Sequence, residues 1–510
     1  MQVCPGLGHF VSLRNLLPNS QLVGAEDVDI TGCTCRAQNV QRGDLFVALT
    51  GSRYDGHEFI AEAIDRGCGA VLTDRPLESL ASYHPSVPYC IVANARDAYG
   101  RICHALAGNP SQKLKLIGVT GTNGKTTTSC LIAGILTAAG YQTGVLGTLG
   151  YLDGKKIENA THTTPPPERL ASLLRRMVDN GCSHAVMEVS SHALDQSRVA
   201  GACFDAACVT NVTRDHLDYH ASLHDYWLAK SKLFQHLTTE GFSVINADDP
   251  GSSAYLHQLN GPALTVGIQT AAEVTATPIE TSLSEQTFLI HAGSDTAPVR
   301  TRMIGEHHIY NCLTATAVGL IYGIDLTTIV RGLESVDYVP GRLERIECGQ
   351  PFGVFVDYAH TPDALTHVLK SLRTVTSGRI LCVFGAGGER DVEKRPLMGR
   401  AVEQNADLAI LTNDNPRNEK PRVILGEILS GFEEPSRALV LPDRGEAIAQ
   451  ALSMARPGDC VLIAGKGHET YQVVGDEKLP FDDRETARDW LYAHADSMDF
   501  ETMDDFSSRN

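Results

Sequence analysis

The stretch Leu116-Ile-Gly-Val-Thr-Gly-Thr-Asn-Gly-Lys-Thr-Thr-Thr128 constrains this chain more than any other. It reads as an apolar strand, a tight glycine turn and a helix start carrying Lys125 and Thr126. Such a turn aims backbone N–H groups at phosphate oxygens, and the helix N-terminus adds partial positive charge. Lys125 is placed to reach outer phosphates, and the Thr126 hydroxyl to join a Mg²⁺ shell. The common form of the motif has glycine five residues before the Gly-Lys pair; here that position is Val119, flanked by Gly118 and Gly121. Leu131, Ile132, Ile135 and Leu136 then recur at helical spacing up to Gly140. The chain is expected to use a nucleoside triphosphate.

Three α/β blocks are expected within the 510 residues. Residues 1–107 form a smaller N-terminal block with apolar runs at 45–49 and 70–73. Residues 108–338 hold the phosphate loop and further short runs at 185–189, 207–210 and 243–246. This is the alternation of a doubly wound, mostly parallel sheet. Residues 339–510 repeat it, Rossmann-like, with runs at 354–356, 380–384, 408–411 and 460–464. The last residues, 496–510, are acidic and expected to fray.

A net charge of −18 argues against non-specific binding to nucleic acid or anionic membranes. Many of the 14 cysteines lie in apolar runs, such as Cys208, Cys382 and Cys460, as buried reduced thiols do. Cys33 and Cys35 form a C-x-C without a second half, which is poor zinc spacing. Met1 to Phe10 lacks the signature of a signal peptide, and no run is long enough to span a bilayer. A cytoplasmic protein without stable membrane insertion is expected, as a monomer.

Chemically suggestive residues cluster just after the apolar runs, where open parallel sheets bind ligands. Glu188 ends one run; from there it either holds Mg²⁺ or faces solvent. Asp215, His216, Asp218 and His220 crowd a segment read as loop and cap hydrogen bonding rather than zinc ligation. Lys230, on a helix-like segment from Tyr226, reads by itself as a solvated lysine. Gly385-Ala-Gly-Gly-Glu389 is a weak dinucleotide signal, because its third glycine would fall at Arg390. Asp414-Asn-Pro-Arg417 is either a plain turn or a rigid mount for an Arg that grips a carboxylate with two parallel hydrogen bonds.

Taken together, Thr120–Thr127, Met187-Glu-Val-Ser-Ser-His-Ala-Leu194, Thr213–His220, Ala229-Lys230, Pro340-Gly-Arg-Leu-Glu344, Asp357-Tyr-Ala-His360 and Lys394–Gly399 resemble the Mur ligases. These are the ATP-dependent amide-bond formers of peptidoglycan precursor synthesis, and the likeness runs from about residue 30 to residue 490. Within the family, Asp414-Asn-Pro-Arg417 is similar to the string of the branch that adds meso-diaminopimelate to UDP-N-acetylmuramoyl-L-alanyl-D-glutamate. The resemblance implies an ATP site at Gly121, Thr122, Asn123, Gly124, Lys125, Thr126 and Thr127 with Asn311, Arg342 and Asp357. It implies a UDP-sugar-dipeptide site at Cys35, Ser52, Arg53, Tyr54, Thr163, Thr164, Ser190, Gln196 and Arg198. Cys35 departs from the Asp-Ser-Arg the family often carries there. It implies a diaminopimelate site at Arg390, Asp414, Asn415, Pro416, Arg417, Gly465 and Glu469.

Catalysis would fall to Lys125, Glu188, His216 and Lys230. Two Mg²⁺ ions would be held by Thr126, Glu188, His216 and an N-carboxylated Lys230. The implied chemistry is γ-phosphoryl transfer to a carboxylate, then attack of an amine on the acyl phosphate. The rivals are a lysine-adding or other amino-acid ligase on the same scaffold, and a nucleotide-dependent switch or binding module.

Overall fold

A computed structural model describes residues 10–51, 54–80, 83–259 and 261–495. Three sheets organise the chain in sequence order. The N-terminal sheet has five strands, in the spatial order Gln21–Val23, Tyr89–Ile91, Ala70–Thr73, Leu45–Val47, Cys33–Thr34. Only the first of these pairs antiparallel.

The central sheet has eleven strands. Its middle is parallel and runs Thr143–Gly147, His184–Glu188, Lys115–Thr120, Phe204–Val209, Leu237–Asn246, Ala263–Gly267, Val274–Thr281. These strands carry near-continuous apolar runs because helices cover both faces. Lys125–Ala138 packs one face with Leu131, Ile132, Ile135 and Leu136 in the core, against helices Glu306–Ile321 and Leu326–Glu334.

Both margins of the central sheet are antiparallel. The meander Val274–Thr281, Gln286–Ala292, Asp295–Thr301 carries no apolar run by which the sequence predicts a strand. Its strands are half-exposed and polar-alternating, so they lack the apolar run that marks a buried parallel strand.

The C-terminal sheet has six strands, in the order Glu344–Arg345, Gly353–Asp357, Cys460–Ala464, Ile380–Phe384, Leu408–Leu411, Ala438–Val440. Five are parallel and the first is antiparallel. Cys208, Cys382 and Cys460 are all fully buried in these sheets.

The C-terminal sheet is braced by a buried ion pair. Arg444 donates from Nε to Asp483 Oδ1 at 2.7 Å and from Nη2 to Asp483 Oδ2 at 2.8 Å. The same guanidinium reaches the Ala464 and Asn413 carbonyls at two strand ends. Both side chains are 0 % exposed. Removing one partner leaves an uncompensated charge in the interior, which costs about 3–5 kcal/mol. Asp483→Ala should therefore lower the unfolding free energy by about that amount in a denaturant titration; a loss under about 1 kcal/mol would mean the guanidinium finds water or another acceptor.

Candidate active site at the strand ends

The phosphate loop leaves strand Lys115–Thr120 and re-enters helix Lys125–Ala138 through two glycines with positive φ, Gly121 (+147°) and Gly124 (+84°). Neither position has room for a side chain: a Cβ would strike Thr210 Oγ1 at the first and Asn311 Oδ1 at the second. Asn311 is thus pressed against the loop from helix Glu306–Ile321, and it accepts from Thr128 Oγ1 at 3.2 Å. The loop is also tied to the segment after strand Phe204–Val209. Thr122 N donates to Asn211 O at 2.9 Å, and Asn123 N to Asn211 Oδ1 at 2.9 Å.

Lys125 folds back on the loop. Its Nζ donates to the Thr122 carbonyl at 2.8 Å and to the Gly121 carbonyl at 2.9 Å. Lys230 Nζ donates to the same Gly121 carbonyl at 2.8 Å. Two lysines converging on one carbonyl oxygen mark a place built for an anion. Burial lowers the pKa of both; for Lys125 the Glu188 and Asp215 carboxylates oppose that shift. The Lys230 amine is held well below the usual lysine range by burial first and by Lys125 next. It is only 1 % exposed and lies 4.3 Å from the Tyr226 ring centre. The reading of Lys230 as a solvated lysine is therefore corrected. The short helix Leu223–Ser231 is docked by its Lys230 face, and nine residues of sequence do not reveal which face that is.

Glu188 is also not solvent-facing: it is 2 % exposed at the end of strand His184–Glu188. Thr126 Oγ1 donates to its Oε2 at 2.9 Å, Thr148 N to its Oε1 at 2.8 Å, and Thr148 Oγ1 to its Oε2 at 3.1 Å. Thr148 was missed by motif reading, although it too follows a strand, Thr143–Gly147. His216 adopts φ +55°, in the left-handed region, beside Asp215 (Nε2 to Oδ2, 3.5 Å) and His192 (ring centres 4.8 Å). Desolvation holds its imidazole below the usual histidine range, and the Asp215 carboxylate opposes that shift.

The hard oxygens of Glu188 and Thr126, which meet at 2.9 Å, are donors of the kind Mg²⁺ accepts. Among the described residues no group of three or more His, Cys, Asp or Glu is arranged to hold a metal. A cation here would complete its shell from phosphate oxygens and water, as Mg²⁺ commonly does.

The third sheet meets this centre. Arg342 Nη2 donates to Thr126 Oγ1 at 3.2 Å, and its guanidinium stacks 4.4 Å from the Tyr358 ring. Asp363 Oδ2 accepts from Thr213 Oγ1 at 3.0 Å and from Asn123 Nδ2 at 3.4 Å. Asp357 is buried, and its carboxylate accepts from Leu343 N (2.6 Å) and Ala359 N (2.7 Å), so it shapes the turn that carries Arg342. Asp363 escaped the sequence reading because its partners come from another domain.

At the carboxyl ends of the third sheet lies a second polar cluster. Arg417 sits at φ +51°, an uncommon conformation for a side chain of its size. Its N–H donates to Val473 O at 3.1 Å, and its Nη1 to Gly388 O at 2.6 Å. Its other guanidinium donors have no acceptor among the described residues. Asn415 Nδ2 donates to Glu469 Oε2 at 2.8 Å. Asp414 is 7 % exposed and packs on Gly465, where a Cβ would approach its carboxylate. The Pro416 carbonyl abuts Gly388. Arg390 is exposed at the end of the same 385–390 loop. Lys466, between the two flagged positions Gly465 and Glu469, was overlooked.

The remaining predicted residues gather on the other side of Glu188. Thr164 Oγ1 donates to Glu188 O at 2.8 Å and accepts from Ser190 N at 3.0 Å. Arg198 donates to the Thr164 carbonyl at 3.1 Å and to Gln196 Oε1 at 2.8 Å. Thr163 accepts from Thr148 Oγ1 at 3.3 Å. Cys35 stands half-buried against Tyr99, its thiol pushed up by burial and then by Glu168. Tyr54 is 71 % exposed, and Ser52 and Arg53 lie outside the described residues.

A phosphate loop, a buried acidic centre and a polar cluster on a second sheet, all at strand carboxyl ends, define a nucleotide-dependent group-transfer enzyme whose acceptor comes from another domain. Family models match in three consecutive pieces: the Mur ligase family catalytic domain over residues 29–107, the Mur ligase middle domain over 119–319, and the Mur ligase glutamate ligase domain over 341–467. The chain is 41 % identical over 484 residues to the UDP-N-acetylmuramoyl-L-alanyl-D-glutamate–2,6-diaminopimelate ligase of Geobacillus thermodenitrificans, covering 94 % of this chain and 98 % of that one. It is 42 % identical over 462 residues to the ligase of the same name from Aquifex aeolicus, covering 91 % and 94 %. A solved structure of a UDP-N-acetylmuramoyl-L-alanyl-D-glutamate–2,6-diaminopimelate ligase superposes with a TM-score of 0.67 at 31 % identity, over 96 % of this chain and all of that one.

The chain belongs to the Mur ligase family. It has that family's three-domain α/β fold, and it is an ATP-dependent ligase that forms an amide bond in peptidoglycan precursor synthesis. No helix among the described residues is long and apolar enough to cross a membrane.

Proposed function

We propose that the enzyme joins meso-diaminopimelate to the D-glutamyl carboxylate of UDP-N-acetylmuramoyl-L-alanyl-D-glutamate. The observation that carries this is Arg417, strained into the left-handed region with guanidinium donors to spare, two residues beyond Asn415, whose amide holds the Glu469 carboxylate. A cation and an anion presented by one turn suit an amino-acid end that bears both a carboxylate and an ammonium. Lysine lacks that distal carboxylate. The relatives at about 41 % identity carry diaminopimelate in their names, which supports the same reading.

The dipeptide end of the acceptor lies along Thr163, Thr164, Ser190, Gln196 and Arg198, with Cys35, Ser52, Arg53 and Tyr54 toward the nucleotide-sugar. ATP lies on Gly121–Thr127, with Asn311, Arg342 and the Asp357 turn beside it. The acceptor carboxylate attacks the γ-phosphorus, ADP leaves, and an acyl phosphate forms. The amine of the incoming amino acid adds to the acyl carbon, loses a proton, and phosphate departs with the C–O electron pair. Lys125 screens the approach of the two anions. The third sheet, clasped through Asp363 and Arg342, keeps water from the acyl phosphate. Mg²⁺ held at Thr126, Glu188, His216 and a Lys230 carbamate would supply further charge neutralisation.

Phosphate release and amide product, measured side by side with meso-diaminopimelate, lysine and glutamate, test the assignment. Diaminopimelate should be preferred by at least about 10³-fold in kcat/KM, because lysine leaves the spare donors of the half-buried Arg417 guanidinium without a carboxylate. Comparable use of lysine would sink it.

The carbamate has its own test. A neutral Lys230 amine adds to CO₂, giving a carbamate and a proton. Activity should fall in CO₂-depleted buffer and return on addition of bicarbonate, with a ¹³C carbamate resonance from labelled CO₂ that Lys230→Ala lacks. Full activity without CO₂, and no resonance, would exclude the modification.

A further inference from the structure

We propose that Lys466 is a positioning residue for the incoming diamino acid, setting the orientation of the Asn415 amide and the Glu469 carboxylate. The proposal rests on the reading that Asn415, Arg417 and Glu469 receive that substrate.

Lys466 is 0 % exposed, and lysine is almost never fully buried without partners. Its Nζ donates to Tyr471 O at 2.7 Å, Glu469 Oε2 at 2.9 Å and Asn415 Oδ1 at 3.2 Å. All three ammonium donors are thereby used. The Asn415 Oδ1 atom also accepts from Val473 N at 2.8 Å. An amide turned the other way would aim its NH₂ at an ammonium and a backbone N–H, donor against donor. The ammonium and the Val473 N–H together therefore dictate that Asn415 Nδ2 faces Glu469 Oε2, at 2.8 Å.

Glu469 Oε2 takes both of these donors, and Glu469 Oε1 has no donor among the described residues. One carboxylate oxygen is anchored and the other is presented, ready for a substrate ammonium. Lys466 also compensates the buried acidic charge locally. Arg417 is then left to meet the substrate carboxylate instead of being drawn to Glu469. The lysine contacts no substrate itself; it acts through two side chains that do.

The test is Lys466→Met in the full-length enzyme. The KM for meso-diaminopimelate should rise by about 10- to 100-fold, the size expected when hydrogen bonds to a charged group are lost. The KM values for ATP and UDP-N-acetylmuramoyl-L-alanyl-D-glutamate should stay within about twofold. Lys466→Gln, which keeps two N–H donors without the charge, should fall between the wild type and Lys466→Met, and it serves if the methionine variant does not fold. In a cycle with Asn415→Ala, the two changes should combine to less than the product of their separate effects.

An unchanged diaminopimelate KM, equal rises for all three substrates, or independent multiplication in the cycle would each overturn the proposal. If Arg417→Ala leaves the diaminopimelate KM alone, the site reading fails and this proposal falls with it. If Arg417→Ala raises that KM while both Lys466 variants do not, only the positioning role falls.

Discussion

Replacing Lys125 with alanine should reduce ligation by at least about 10³-fold, to the floor of a product assay. The chemical step brings a carboxylate onto a phosphoryl group, and both carry negative charge. Phosphoryl transfer offers little covalent chemistry for a protein to perform, so most of the acceleration comes from placement and charge. Lys125 is the lysine that the loop presents at the start of its own helix, with its ammonium held at 2.8–2.9 Å by two loop carbonyls. Those carbonyls are weak partners for a half-buried cation, so the ammonium is poised to exchange them for phosphate oxygens. Burial pulls its pKa down, while Glu188 and then Asp215 pull the other way, which keeps a positive charge available. Lys230 shares the Gly121 carbonyl but reaches it from a different helix, Leu223–Ser231. The measurement is single-turnover product formation at saturating ATP, with circular dichroism to confirm the fold. Turnover within about tenfold of the wild type would show that charge screening lies elsewhere.

Arg417→Ala should raise the KM for meso-diaminopimelate by about 100-fold while moving that for ATP by less than about twofold. A bidentate guanidinium–carboxylate contact is among the strongest hydrogen-bonded pairs a protein offers. Here the Arg is held at φ +51° by backbone bonds on both sides: Arg417 N to Val473 O, and Gly475 N to Arg417 O. Those bonds do not depend on the side chain, so alanine removes the guanidinium and leaves the turn in place. Discrimination against lysine should shrink with the same substitution, because the unpaired cation that penalises lysine is gone. Equal rises in the two KM values would refute the role, since they would report a general disturbance of the domain.

Much of this was legible along the chain. The strand runs at 380–384, 408–411 and 460–464 coincide with observed strands. Apolar β-rich segments between turn residues leave little choice once helices cover both faces. The phosphate loop was legible for a similar reason: its glycines, Lys125 and Thr126 are contiguous, and local backbone geometry alone orients them. The antiparallel strands from 274 to 301 were not legible, because their pairing supplies a pattern that their side chains do not advertise.

Lys230 and Glu188 show the limit most clearly. A lysine on a nine-residue helix and a glutamate at a strand end look solvated in one dimension. Both are buried because segments about forty residues or more away close over them. Gly121 receives the lysine, and Thr126 and Thr148 receive the glutamate. Asp363 and Thr148 were invisible for the same reason, and so was the tie from Lys466 to Asn415: each gains its meaning from a partner outside its own motif.

The chain by itself determined the alternation of strands and helices, the phosphate loop, and the strand-end positions where chemistry would concentrate. Those follow from local sterics and periodicity. The tertiary structure decided which charges are buried, which amines have their pKa lowered and which loops meet, as when Arg342, in the turn before the third sheet, reaches Thr126 at the start of helix Lys125–Ala138. Desolvation and electrostatic coupling act through space, and their strength depends on burial and distance that no linear spacing encodes.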